Sequence, residues 1–130
     1  MPRKTIKPKS LDFQPRPTYP YSPGASGGGF IFTAGQVAWD HTGEVAAVGD
    51  VRAQTLQTLT NVNSVLTEAG ASLDDVVKCT VYLKNMADFQ TMNEEFAKFF
   101  PNDPPARTTV QAHLAEDVML VEIEAIAFTG

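Results

Sequence analysis

The sequence predicts an α+β fold, one sheet with two helices packed on one of its faces, and three observations predict it. Residues 50–69 and 88–100 repeat apolar side chains at three- and four-residue spacing, as amphipathic helices do. Short β-branched runs such as Val77–Leu83 lie between and around them. The last thirty residues hold two strand-like runs that alternate with period two. No internal repeat or low-complexity segment interrupts the pattern. The expected order is β-β-β-α-β-α-β-β, within one domain spanning residues 1–130.

Taken in order, the first 29 residues hold six of the nine prolines and four of the nine glycines, which predicts an extended, irregular arm without regular sheet. Within it, residues 1–16 form a basic, Pro-containing stretch with five bases and one acid, to which the sequence assigns no function. The glycine cluster Gly24–Gly29 has no Gly-Lys-Ser/Thr ending, and a strand-like run follows it where a phosphate loop needs a helix. A flexible turn is expected there. Phe30–Thr33 then reads as a strand, Val37–Trp39 as a short second one and Val45–Val48 as a third, with Asp40–Glu44 as a turn between the last two.

Asp50 offers an N-cap, and Ala53, Leu56, Leu59, Val62, Leu66 and Ala69 line one helical face until Gly70. The opposite face, of Gln, Thr and Asn, reads as a neutral surface. Val77–Leu83 is expected to be a largely buried strand, and its Cys79 a small buried hydrophobe. A lone cysteine forms no internal disulfide. Asp88 is the expected cap of the second helix, whose Phe89, Met92, Phe96, Phe99 and Phe100 read as a core stripe ending before Pro101.

Residues 104–114 and 119–128 are separated by Ala115–Val118 and are expected to pair as a hairpin. If the apolar sets of both strands meet the helices, Arg107 and Thr109 share the other face with Glu122 and Glu124. Leu120, Ile126 and Phe128 fall on that face too, and a second subunit is expected to cover it. A solvated face with cross-strand ion pairs is the plainer alternative.

Composition narrows the classes of function. The hydrophobic fraction is 43% and the charged fraction 19%, values of an ordinary globular protein. The net charge is −5, and beyond residue 16 the chain holds five bases against fourteen acids, a poor match to a phosphate backbone. A nucleic-acid partner is not expected. No apolar run is long enough for a membrane span, and the basic amino terminus is not followed by an apolar signal segment, so a cytoplasmic protein without a membrane partner is expected. His41 and His113 are the only histidines, and no spacing suggests a metal site.

Five separated motifs are similar to one family. Pro20-Tyr21-Ser22-Pro23-Gly24, Phe30-Ile31-Phe32-Thr33-Ala34-Gly35-Gln36, Asp88-Phe89-Gln90-Thr91-Met92-Asn93, Pro105-Ala106-Arg107 and Val121-Glu122-Ile123-Glu124-Ala125-Ile126-Ala127 together resemble the RidA/YjgF family of enamine and imine deaminases. The resemblance runs from about Lys4 to Phe128. It implies a chorismate-mutase-like fold of the bacillus type, with a mixed sheet, and a homotrimer whose sheets form a central barrel with active sites between subunits.

Position by position, the resemblance implies substrate-binding roles for Arg107, Tyr21, Asn93, Ala34 and Gly35, with Arg107 gripping a substrate carboxylate. It implies that Glu122 holds the hydrolytic water and exchanges protons, and that Thr109 offers that water an oxygen. Two residues depart from the commonest pattern: Ala34 stands in the place of a serine and Thr109 where a cysteine often occurs. The implied reaction hydrolyses 2-enamine and 2-imino acids to 2-keto acids and ammonia, without a cofactor. Three other readings stay open: a non-catalytic keto-acid sensor, an endoribonuclease or translation inhibitor, and a 2-aminomuconate-type deaminase.

Overall fold

The computed structural model describes residues 2–13 and 19–130. Residues 14–16, the end of the basic stretch, lie outside the described residues. Six strands form one mixed sheet: β1 (Lys4–Ile6), β2 (Gly24–Gly27), β3 (Phe30–Thr33), β4 (Val76–Leu83), β5 (Ala106–Gln111) and β6 (Val121–Phe128). Their order across the sheet is β1-β2-β3-β6-β4-β5. Neighbours are antiparallel except β4 and β5, which run parallel. The two helices, α1 (Val51–Glu68) and α2 (Phe89–Phe99), pack together against one face of this sheet. This is the expected α+β architecture. Among the described residues no helix is long and apolar enough to cross a membrane.

The core lies between that face and the helices. Leu59, Val62, Val65 and Leu66 of α1 and Met92 and Phe96 of α2 meet Cys79, Val81 and Leu83 of β4 and Val121, Ile123, Ala125 and Ala127 of β6. Each fully buried Leu or Met contributes roughly 1.5–3 kcal/mol. Cys79 is fully buried, as expected, and burial pushes its thiol up to about 12, which makes it inert near neutral pH.

The eight elements occur in the expected order, but of the first three strands only Phe30–Thr33 is one of those expected. β1 and β2 fall inside the supposed irregular arm, with Thr5 opposite Ala25. Only Gly28 and Gly29 of the glycine cluster make the turn, both with positive φ as a two-residue hairpin demands, while Gly24–Gly27 is strand. Conversely, the strands expected at Val37–Trp39 and Val45–Val48 reduce to single bridges, Gln36 with Ile123 and Trp39 with Val45.

Buried polar side chains of α1 hold this irregular segment and the loop before β6. Asn61 donates to the carbonyls of Val37 and Trp39, each at 3.0 Å. Gln54 donates to the Val118 carbonyl and accepts from the Leu120 amide, both at 2.9 Å. The face read as neutral surface is therefore partly interior, with Gln54, Thr55, Thr58 and Asn61 buried, while Leu56 is 48% exposed. The reason is that loops without a ladder need partners for their backbone groups. At the helix starts, Asp50 accepts from the Ala53 amide as expected, whereas Asp88 makes no side-chain cap bond. Asn85 instead caps the 3-10 turn Met86–Asp88 that leads into α2.

The expected hairpin does not form. β4 lies between β5 and β6, and α2 makes the crossover that two parallel strands require. Register then decides the faces. Arg107 pairs with Cys79 and Thr109 with Val81, so both point to the helix side. Glu122 pairs with Tyr82 and Glu124 with Thr80, so both point to the outer side. The expectation that Arg107, Thr109, Glu122 and Glu124 share a face is wrong.

Candidate functional site

Arg107 stands on edge strand β5, where the chain leaves its guanidinium half-buried against α2. Nη2 donates to Asn93 Oδ1 at 2.5 Å, and Nη1 lies 3.8 Å from Met92 Sδ. The guanidinium carbon sits 4.8 Å from the Phe96 ring centre and 5.7 Å from that of Phe89. Residues 89, 93 and 96 are one helical stripe, so a single face of α2 supplies two aromatic surfaces and an amide oxygen. Among the described residues no carboxylate pairs with Arg107. Burial pushes its pKa down, opposed only in part by Cys79, and no carboxylate among the described residues offsets the lost hydration. Such a cation, ordered and charge-unsatisfied, is suited to a planar anion such as a carboxylate. Thr109 lies two residues along on the same face.

Glu122 occupies the other face. Its carboxyl is raised above the ordinary range, first by burial and then by the nearby charge of Glu124. Glu124 in turn accepts from the Tyr82 hydroxyl at 2.6 Å, which raises the Tyr82 pKa. Directly against Glu122 runs the segment after β3. Gln36 and Ile123 exchange both backbone hydrogen bonds at 2.9 Å, and this fixes Gly35 over the carboxylate. A Cβ at Gly35 would collide with the Glu122 carboxyl group, so only glycine admits that side chain there.

Ala34 precedes this contact and lines a groove of about 510 Å³, together with Tyr21. Tyr21 is 60% exposed, and its ring stacks on Tyr19 with centres 6.0 Å apart. The sequence-derived residues thus fall into two clusters. Arg107, Asn93 and Thr109 gather on the helix side, while Glu122, Gly35, Ala34 and Tyr21 gather on the outer side. Register puts Arg107 and Glu122, the centres of the two clusters, on opposite faces of the sheet. Phe96 is core, as expected, whereas Phe89 is exposed, and the spacing of both from Asn93 was a signal of their place beside Arg107. The close fit of Gly35 on Glu122 had no sequence signal, because it depends on an isolated bridge.

Fold and site define a small α+β protein that carries an exposed sheet face and an arginine prepared for an anion. The chain belongs to the endoribonuclease L-PSP family, which also takes in the RidA/YjgF proteins: the family profile matches residues 12–129. A RutC family protein of Pyrococcus horikoshii is 47% identical over 115 residues, 88% of this chain and 90% of that protein. The crystal structure of the Escherichia coli YjgF gene product superposes with a TM-score of 0.85 at 37% identity, covering 98% of this chain and 99% of that one. The Escherichia coli TdcF structure with bound serine gives 0.85 at 34% identity, again covering 98% and 99%.

Proposed function

We propose that this chain is a cofactor-independent hydrolytic deaminase of 2-enamine and 2-imino acids, acting as a homotrimer with sites between subunits. The observation that carries the reading is Arg107, half-buried on aromatic rings and an asparagine with no carboxylate partner among the described residues. A substrate α-carboxylate supplies the missing charge. The bound serine of TdcF, an α-amino carboxylate, supports the same class of ligand for this chain. The acid-rich composition beyond residue 16 weighs against the ribonuclease activity that the family name suggests.

Because Arg107 and Glu122 lie on opposite faces of one sheet, a working site joins the Arg107 cluster of one subunit to the Glu122 cluster of another. Phe30, Phe32, Val110 and Phe128 are large apolar side chains exposed on the outer face, which favours its burial in such an assembly. In the reaction the enamine tautomerises to the imine, water adds to the C=N carbon, and the carbinolamine collapses to ammonia and a 2-keto acid. Arg107 orients the substrate, while Asn93 and the two phenylalanines hold its guanidinium in place. Glu122, with a raised pKa, takes the proton from water and returns it to the leaving nitrogen. Thr109, beside Arg107, offers an oxygen to the same water.

The test generates 2-iminopropionate in situ by amino-acid oxidation and follows its capture by semicarbazide. Wild-type protein should suppress semicarbazone formation, and Arg107→Ala should lose that suppression. Equal rates for the two proteins would overturn the assignment.

A further inference from the structure

The groove beside Ala34 is built for negative charge. β1 is an edge strand, and its alternation sends Ile6 into the core and Arg3, Thr5 and Lys7 to the outer side. Cross-strand partners run from Thr5 to Ala25, Phe32 and Ile126, and Ile126 shares its face with Glu124 and Glu122. The two cations therefore stand on the same sheet face as Glu122. Arg3 and Lys7 both line the groove, none of its described walls is acidic, and among the described residues neither cation is in an ion pair. In a chain of net charge −5 the groove draws its positive charge from the basic stretch of residues 1–16. Tyr19, Tyr21 and Ser22 line the same space.

We propose that this groove is a second anion subsite, in which Arg3 and Lys7 receive the ω-carboxylate of a dicarboxylic 2-imino acid. The position of the reacting carbon rests on the deaminase reading above; the groove itself does not. A substrate whose imine carbon lies at Glu122 passes Gly35 and then Ala34, and its tail enters the groove. Ala34 presents no hydroxyl to that tail, so the passage tolerates methylenes. About 510 Å³ falls in the roughly 300–1,000 Å³ span of small-molecule sites. A polyanion such as RNA needs a stripe of cations, and the two that line the groove match a single carboxylate better. Arg3 and Lys7 thus set specificity by charge, without touching the reacting atoms.

The experiment compares kcat/KM for imines released in situ from glutamate and from alanine, in wild type and in Arg3→Ala/Lys7→Ala. Both positions are exposed and outside the core, so the variant keeps its fold. The expected result is a loss of roughly tenfold on the dicarboxylate, about 1.4 kcal/mol from two exposed charge contacts, and less than about twofold on the monocarboxylate. Arg3→Lys/Lys7→Arg should retain the preference for the dicarboxylate. Equal losses on both substrates, or none on either, overturn the proposal. Calorimetry with 2-ketoglutarate and 2-ketobutyrate provides the second arm, because it needs no turnover. If wild type hydrolyses neither imine, the deaminase reading fails, and this arm alone decides the groove. Selective loss of 2-ketoglutarate affinity in the double variant supports the subsite, and unchanged affinity overturns it.

Discussion

Gly35→Ala separates stability from activity in a way that tests the placement of Glu122. The backbone at Gly35 has no left-handed φ, so alanine adopts its conformation without strain. At such a position the substitution stabilises by about 0.4–1 kcal/mol, because the unfolded chain loses freedom. Against this stands the collision of the new Cβ with the Glu122 carboxyl group. Overpacking costs about 1–3 kcal/mol in a rigid core, but the obstructing atoms are the end of a flexible side chain, which places the cost at the low end. The two terms nearly cancel, and urea denaturation should show a change within about 1 kcal/mol. Activity has no such compensation. In the proposed reaction Glu122 must swing away from the position in which it would hold the water, and a displacement on the order of 1 Å can cost about a hundredfold in rate. Semicarbazone competition should register a 10- to 100-fold lower kcat/KM in a variant of near-normal stability. Full activity in Gly35→Ala, together with a depressed Glu122→Gln, would show that the close contact does not position the carboxylate.

Two further perturbations follow from the same contacts. With its pKa raised by burial and by Glu124, Glu122 should give kcat/KM an acid limb above the ordinary carboxylate value of about 4.3. Glu124→Gln should move that limb to lower pH, and Glu122→Gln should abolish it; a limb unmoved by Glu124→Gln would assign it to another group. The linkage sign is fixed: the folded state binds the Glu122 proton more tightly than the unfolded state, so this group's contribution to stability falls as pH rises from the unfolded to the folded pKa. Glu122→Gln should therefore flatten the stability profile across that window. Gln54→Ala strips partners from the Val118 carbonyl and Leu120 amide inside the protein, at about 1–3 kcal/mol each. A loss of about 2–5 kcal/mol in chemical denaturation is expected, and less than about 1 kcal/mol would mean that α1 does not hold that loop.

Where periodicity reported burial directly, the sequence was legible. α1 and α2 end within a residue or two of their expected bounds, and β4 and β6 are placed correctly, because long apolar repeats leave little choice of element. β1 and β2 escaped notice because proline and glycine dominate their surroundings and each strand is only three or four residues long. The polar interior of α1 escaped for another reason: Gln54 and Asn61 are buried by the needs of loops distant in sequence, and no local pattern records that demand.

The error over β5 is the most instructive, because alternation along that strand was read correctly and still gave the wrong face. Alternation says which residues travel together, whereas only the partner strand says which set faces the helices. β5 has a single large apolar residue in its paired length, Val110, and at a sheet edge that residue is 39% exposed while Arg107 turns inward. Pairing with β4 in place of β6 thereby moved Arg107 and Glu122 to opposite faces. The supposed cluster of an arginine between two carboxylates would have neutralised the guanidinium within one chain. Separation leaves Arg107 without a carboxylate among the described residues and Glu122 backed by Gly35. A ligand bridging them needs both faces at once, which one sheet does not offer and two copies of the chain do. On the proposed reading of a site between subunits, loss of assembly should therefore abolish turnover while leaving the Arg107–Asn93 contact intact, since that contact lies wholly within one chain.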